Sequence, residues 1–327
     1  MRSSALLTRL FVGLALSGAL LFSSEASRVE AIDQSAPFEK RLADFGPELG
    51  DFLGKVWNDR AKIDLKDFKT GTYTVYGYYS GTDKPDLPFD ETVLNKFLDD
   101  LQKLAGKNSI FAQVLRMAVN KLNASQKAVQ GNTLWHDFFH VLSSKDPSKK
   151  ICNRIYVHTA DPEATIEVMK IIVGQFGKNK GLWEVKTAGP GAVRKDTIVA
   201  YLYDDASAKS LADLLNKTAT KKPKLFIDEL PPLVRRDGPG IGSAGEPPAI
   251  ELFKKEGNRH SFGSFYSALI WIALRTTPNV SNSKADGRHF LDNMLYSLRL
   301  LGIDPVNPQE FPNAESLEKW YKSVKRW

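Results

Sequence analysis

Five residues with reactive or charged side chains lie on or beside three strand-like stretches in the second half of the chain: Arg154, Tyr156, Lys186, Arg194 and Lys195. Period-two alternation sends Arg154 and Tyr156 to one face of their strand, so the two can share a cleft. A lysine whose pKa is lowered by neighbouring cations can abstract a proton, and an arginine grips a phosphate through two parallel N–H donors. The same residues also suit a solvated strand face, whose aliphatic stems cover apolar surface while the charged heads stay in water. Spacing alone favours that plainer reading.

Two other constellations invite chemistry and carry less. His136 and His140 stand one helical turn apart, the spacing with which zinc hydrolases hold a metal. That chemistry also needs a carboxylate base and a third ligand, and the pair is immersed in Trp135, Phe138 and Phe139. The segment reads as an amphipathic helix, with no metal site. Gly238-Pro-Gly-Ile-Gly242 resembles a phosphate loop, but no Gly-Lys-Ser/Thr follows it and Pro239 removes a donor. No cofactor is expected.

The elements that must position these residues follow from periodicity. Apolar residues return every three or four positions from Phe38 to about Phe68, from Asp90 to Leu104 and from Ile110 to Leu122, which is helical spacing. Between them, Thr72 to Tyr79 is rich in strand formers. Strands are expected at Asn153–His158, Trp183–Thr187 and Asp196–Tyr203, and helices at about 162–172 and Ala206–Leu215. Leu225 to Leu230 is a short extended piece. Pro231 to Pro248 is a Gly/Pro-rich loop, and helices follow at His260–Arg275, Gly287–Leu301 and Glu315–Trp327. The fold class is α+β: a mainly helical N-terminal part, residues 27–150, followed over 151–327 by a small mixed or antiparallel sheet packed with helices.

The first 26 residues read as a signal peptide. Arg2 and Arg9 are positive, Leu10 to Phe22 is uncharged and apolar, and Ser24-Glu25-Ala26 offers small residues to a peptidase. A spanning helix needs about 20 apolar residues, more than this run has, and Phe265 to Leu274 stops at Arg275. The mature chain is therefore expected to be secreted and extracellular, or periplasmic in a Gram-negative source, without stable membrane insertion. Hydrophobic residues at 42% and charged residues at 25% are those of an ordinary globular protein. The formal net charge of +7 suits acidic partners, but Lys and Arg are spread along the chain, so nucleic acid is not expected as a partner. A single cysteine, Cys152, excludes an internal disulfide.

Eight short stretches resemble, in one order, the HopA-type effector family over roughly residues 150–312. They are Arg154-Ile-Tyr-Val, Lys186-Thr-Ala-Gly-Pro190, Arg194 to Leu202, Pro231-Pro232, Gly240-Ile-Gly242, Glu246-Pro-Pro248, Ser261-Phe-Gly263 and Leu298 to Pro305. The resemblance implies an effector-like protein acting on or binding host proteins. Relatives of that family include the lyase components of class V lanthipeptide synthetases, which look similar to phosphothreonine lyases. Carried over, that activity makes Lys186 the base and Tyr156 the proton donor, with Arg154 and Arg194 clamping the phosphate of a phosphorylated peptide. Phe265 and Tyr266 occupy ground where the family pattern has a basic residue, and Arg259, just upstream, is the substitute phosphate ligand.

Overall fold

The computed structural model describes residues 36–84, 87–105, 135, 138–143, 151–176, 181–247, 261–282 and 285–311. The signal peptide expected at 1–26, the helices expected at 110–122 and 315–327, His136 and Arg259 lie outside the described residues. Six strands form one antiparallel sheet in the order β1-β3-β4-β2-β6-β5. They are β1 (Phe138–Ser143), β2 (Asn153–Val157), β3 (Leu182–Ala188), β4 (Ile198–Leu202), β5 (Arg235–Gly238) and β6 (Ile241–Gly245). The α+β expectation holds, and the sheet is antiparallel throughout.

Alternation along the central strands divides the molecule into two cores. Ile155, Val157, Val185, Ile198, Ala200 and Ile241 face one side. There they meet helices α4 (Glu91–Ala105), α5 (Pro162–Phe176) and α6 (Asp205–Lys221). Tyr156, Val199, Tyr201 and Ala244 face the other side. They pack there with α2 (Pro47–Asn58), α3 (Phe68–Ser80), α7 (Phe262–Arg275) and α8 (Gly287–Leu300), with a short α1 (Phe38–Arg41) at the start. Helices of the N-terminal part thus share a core with the strands that follow.

Three local expectations are corrected. Thr72 to Tyr79 is helix α3, not a strand. Strand propensity spans only about 1 kcal/mol and yields to context. Here Gly71, Val75, Tyr78 and Tyr79 form one buried stripe, and each fully buried large side chain gains about 1.5–3 kcal/mol. Both ends are signalled as well: the Asp67 carboxylate accepts from the Thr70 N–H at 2.7 Å, and Gly81, at φ +87°, closes the C-terminus. Phe138 to Ser143 is β1 rather than helix, because Phe139 and Val141 enter the core while His140 stays outside on the sheet edge. The Gly/Pro-rich loop contains the β5–β6 hairpin. Pro239 and Gly240 are its two turn residues, and Gly240 sits at φ +64° with only 2.5 Å between a notional Cβ and the Ile227 carbonyl oxygen.

Helices α3 and α7 approach through reciprocal glycines. A Cβ on Gly71 would stand 2.2 Å from the Trp271 indole nitrogen and 2.1 Å from the Asp64 carbonyl oxygen, the atom to which that indole donates at 2.8 Å. A Cβ on Gly263 would stand 2.4 Å from the Tyr79 ring. Gly71→Ala is therefore expected to destabilise the protein by roughly 1–3 kcal/mol through overpacking, read as a lower denaturant midpoint in chemical unfolding.

Candidate functional site

Residues opposed across antiparallel strands share a face. Lys186 on β3 opposes Val199 on β4, which opposes Tyr156 on β2. One rung along, Glu184 opposes Tyr201, which opposes Arg154. Lys186, Tyr156 and Arg154 therefore lie on the face that α3 and α7 cover. Arg194, from the β3–β4 connection, reaches the same place.

Aromatic rings join the three cations. Lys186 Nζ and the Arg194 guanidinium each stand 4.5 Å from the centroid of Phe138, so they can be no further apart than twice that distance. Lys186 and Arg154 share the ring of Tyr201, at 5.4 and 5.0 Å. Arg194 also lies 5.7 Å from the Tyr76 ring. Cations held over π-faces gain the quadrupole attraction that partly replaces water.

Carboxylates neutralise two of the three. Arg194 clamps Asp196 in bidentate fashion at 2.8 and 3.1 Å, and donates to the Tyr76 hydroxyl at 3.0 Å. Arg154 donates to Glu246 at 2.7 Å and hydrogen-bonds the Tyr156 phenol. Lys186 has no hydrogen-bond or ion-pair partner among the described residues. Burial depresses its pKa, and Arg154 and Arg194 add to the depression, while Tyr76 and Asp196 offset part of it. Burial pushes the Tyr156 phenol well above its ordinary range and Tyr201 up to about 12, so both carry their protons at neutral pH. The arrangement brings one half-buried amine of lowered basicity, one protonated phenol and two arginines together on one face of the sheet.

Four of the five residues expected on or beside these strands, Arg154, Tyr156, Lys186 and Arg194, thus converge, and Arg259 lies outside the described residues. Lys195 instead pairs with Glu229 at 2.6 Å. His140 is set against Glu184, with its Nδ1 2.8 Å from the carboxylate, and no group of three or more His, Cys, Asp or Glu among the described residues could hold a metal ion. Sequence reasoning missed Tyr76, Tyr79, Phe138, Tyr201 and Glu246. Tyr76 and Tyr79 show helical spacing only once their segment is recognised as helix. Next to the cluster lies a pocket of about 200 Å³ at the strand ends, lined by Arg194, His158, Thr159, Thr197, Ile227 and Glu229 among others. Arg194 belongs to the cluster and also lines this pocket.

The family model of the HopA1 effector protein family matches residues 130–309, more than half of the chain. The chain belongs to the HopA1 effector protein family. Two solved structures share the fold of this HopA1 member. One is the effector protein from Pseudomonas syringae pv. syringae strain 61, with 20% identity and a TM-score of 0.56, covering 81% of this chain and 98% of that one. The other is the effector protein from Pseudomonas syringae pv. tomato strain DC3000, with 18% identity and a TM-score of 0.53, covering 84% of this chain and 99% of that one. No curated protein matches the chain. The stretches that carry the HopA resemblance supply Arg154 and Tyr156 on β2, Lys186 on β3, Arg194 and Tyr201 around β4, and Glu246 after β6. Ser261 accepts from the Ser264 N–H to cap α7, and Gly263 receives the Tyr79 ring. Phe265 and Tyr266 are fully buried, which leaves no room there for a basic residue.

The lowered Lys186 pKa sets the sign of a stability test. Below its folded-state pKa the buried ammonium carries an uncompensated cost. As pH rises from that value towards 10.5, the folded protein releases the proton before the unfolded chain does, so stability rises through that window. Lys186→Met is expected to be at least as stable as wild type at pH 7, with its advantage shrinking as pH approaches 10.5. Thermal unfolding across that range tests this, and a less stable variant at pH 7 would refute it.

Proposed function

We propose that this HopA1-family protein is exported by the general secretory route and acts by engaging a host protein. The Arg154–Lys186–Arg194 cluster receives an anionic group of that target, a phosphorylated side chain. The observation that supports this most is the state of Lys186: a half-buried ammonium without a carboxylate partner among the described residues, sharing one aromatic ring with each of two arginines. An entering phosphate would supply the missing countercharge and could accept bidentate hydrogen bonds from guanidinium groups now held by Asp196 and Glu246. The signal-peptide pattern over residues 1–26, with its uncharged run Leu10 to Phe22, motivates the route of export. No helix among the described residues is long and apolar enough to cross a membrane.

A second reading is favoured by one further observation: Lys186 and Tyr156 occupy the same rung, separated only by Val199 on β4. In β-elimination, the neutral Lys186 amine takes the α-proton of a phosphothreonine or phosphoserine. The released electron pair forms the Cα–Cβ double bond, and the Cβ–O bond breaks so that phosphate leaves with its pair. Tyr156, which retains its proton, can donate to the departing oxygen while the arginines hold its charge. The lowered pKa of Lys186 favours its neutral, proton-accepting form, and Tyr156 holds at neutral pH the proton it would donate.

Incubation with phosphothreonine peptides separates the readings. On the first, the peptide binds in preference to its unphosphorylated form, Lys186→Ala weakens binding, and mass spectrometry shows the peptide unchanged. A product lighter by one phosphoric acid, absent with Lys186→Ala, would replace the first reading by the second. Equal affinity for the two peptides would remove the cluster as the anion site.

A further inference from the structure

Tyr79 is fully buried, and its hydroxyl has no hydrogen-bond partner among the described residues. Its place in the core calls for a ring and nothing more. Phe52, Tyr76 and Phe262 surround it at centroid distances of 6.4, 5.9 and 6.2 Å, contacts that phenylalanine would make equally well without leaving a polar atom dry. Other tyrosines nearby are satisfied. Tyr266, as deeply buried, donates to the Pro308 carbonyl oxygen, and the Tyr76 hydroxyl accepts from Arg194. Nor can the Tyr79 ring swing away to find a partner, because Gly263 of α7 lies flat against it with no space for even a methyl group. The titratable groups that act on the phenol are Tyr156, Asp196 and Arg154 of the cluster beneath α3, and Tyr76 on α3 itself.

We propose that Tyr79 is a ligand-contacting residue of the anion site, whose hydroxyl donates to an oxygen of the bound phosphate from the helical layer while Arg154, Lys186 and Arg194 hold it from the sheet. This rests on the reading of the cluster as an anion site and deepens it. Recognition then needs both layers: the N-terminal helical part supplies a contact as well as a cover. It also gives the glycine of Ser261-Phe-Gly263 a task, that of fixing the ring which carries the donor. A neutral phenol of raised pKa is suited to this position, since it donates without ionising in the presence of a dianion.

The test is Tyr79→Phe in the full chain, titrated calorimetrically with a phosphothreonine peptide and with the same peptide unphosphorylated, beside thermal unfolding of the free protein. The expected result is an unchanged or higher thermal midpoint, an affinity for the phosphopeptide about 10-fold weaker or more, and no change towards the unphosphorylated peptide. Three results would overturn the proposal. If Tyr79→Phe binds the phosphopeptide as tightly as wild type while Lys186→Ala does not, the cluster stands and Tyr79 is packing alone. If Tyr79→Phe lowers the thermal midpoint by several degrees, the hydroxyl supports the fold. If wild type does not prefer the phosphopeptide, the reading of the cluster fails and Tyr79 falls with it.

Discussion

Three cations project from one face of a sheet that must also bury Tyr156, Val199, Tyr201 and Ala244 beneath two helices. Removing a guanidinium from water costs several kcal/mol, and in a protein interior only charge partners and well-directed hydrogen bonds return that cost. Arg154 and Arg194 obtain both, from Glu246 and from Asp196 with Tyr76. Two of these partners come from segments at the ends of the interior strands β4 and β6, and the third from α3. The folded state therefore cannot hold its arginines unless α3, the β3–β4 connection and the segment after β6 are all in place. A break in either pair would leave a buried charge uncompensated, worth roughly 3–5 kcal/mol, which ties the integrity of the site to that of the fold.

The same constraint shapes the aromatic content of the layer. Rings from Phe138, Tyr201 and Tyr76 stand where water would otherwise hydrate the cations, and Phe262 links Tyr156 to Tyr79 above them. A ring provides apolar burial to the helices on one side and a negative π-face to a cation on the other. This is why α3, composed of residues that prefer strands, is a helix: a strand would turn alternate tyrosines to solvent, whereas the helix lays Val75, Tyr78 and Tyr79 into the core and leaves Tyr76 beside Arg194.

What could be read in the sequence divides along this line. The strands carrying Arg154, Tyr156, Lys186 and Tyr201 were legible because period-two alternation and β-branched composition are local signals. Their meeting on one face followed only in part, since alternation relates Arg154 to Tyr156 within a strand but says nothing of register between strands. The register that sets Lys186 level with Tyr156 depends on pairing through β4, a long-range property. The α3 segment misled for a physical reason: its propensity is that of a strand, and the interaction that overrides it lies 200 residues away in α7, where Trp271 meets Gly71. The β5–β6 hairpin was hidden differently, by glycines and a proline that read as loop, although Pro239-Gly240 is the residue pair a tight turn requires. Asp196 and Glu246 stood in the stretches shared with the HopA family, yet their role as counter-ions needs the three-dimensional site to be seen.

The division of the site between layers bears on how a HopA1-family protein can vary. Contacts made by β2, β3 and β4 are fixed by the hydrogen-bonded register of the sheet, so their geometry changes little unless the sheet itself does. Contacts from α3 depend on helix packing, and that packing here is set by two glycines and the rings they admit. A substitution at either glycine would shift α3 over the sheet and move Tyr76 and Tyr79 relative to the cations, without touching a strand. The sheet thus holds the charges in constant positions, and the packed helices above them set which group can reach those charges.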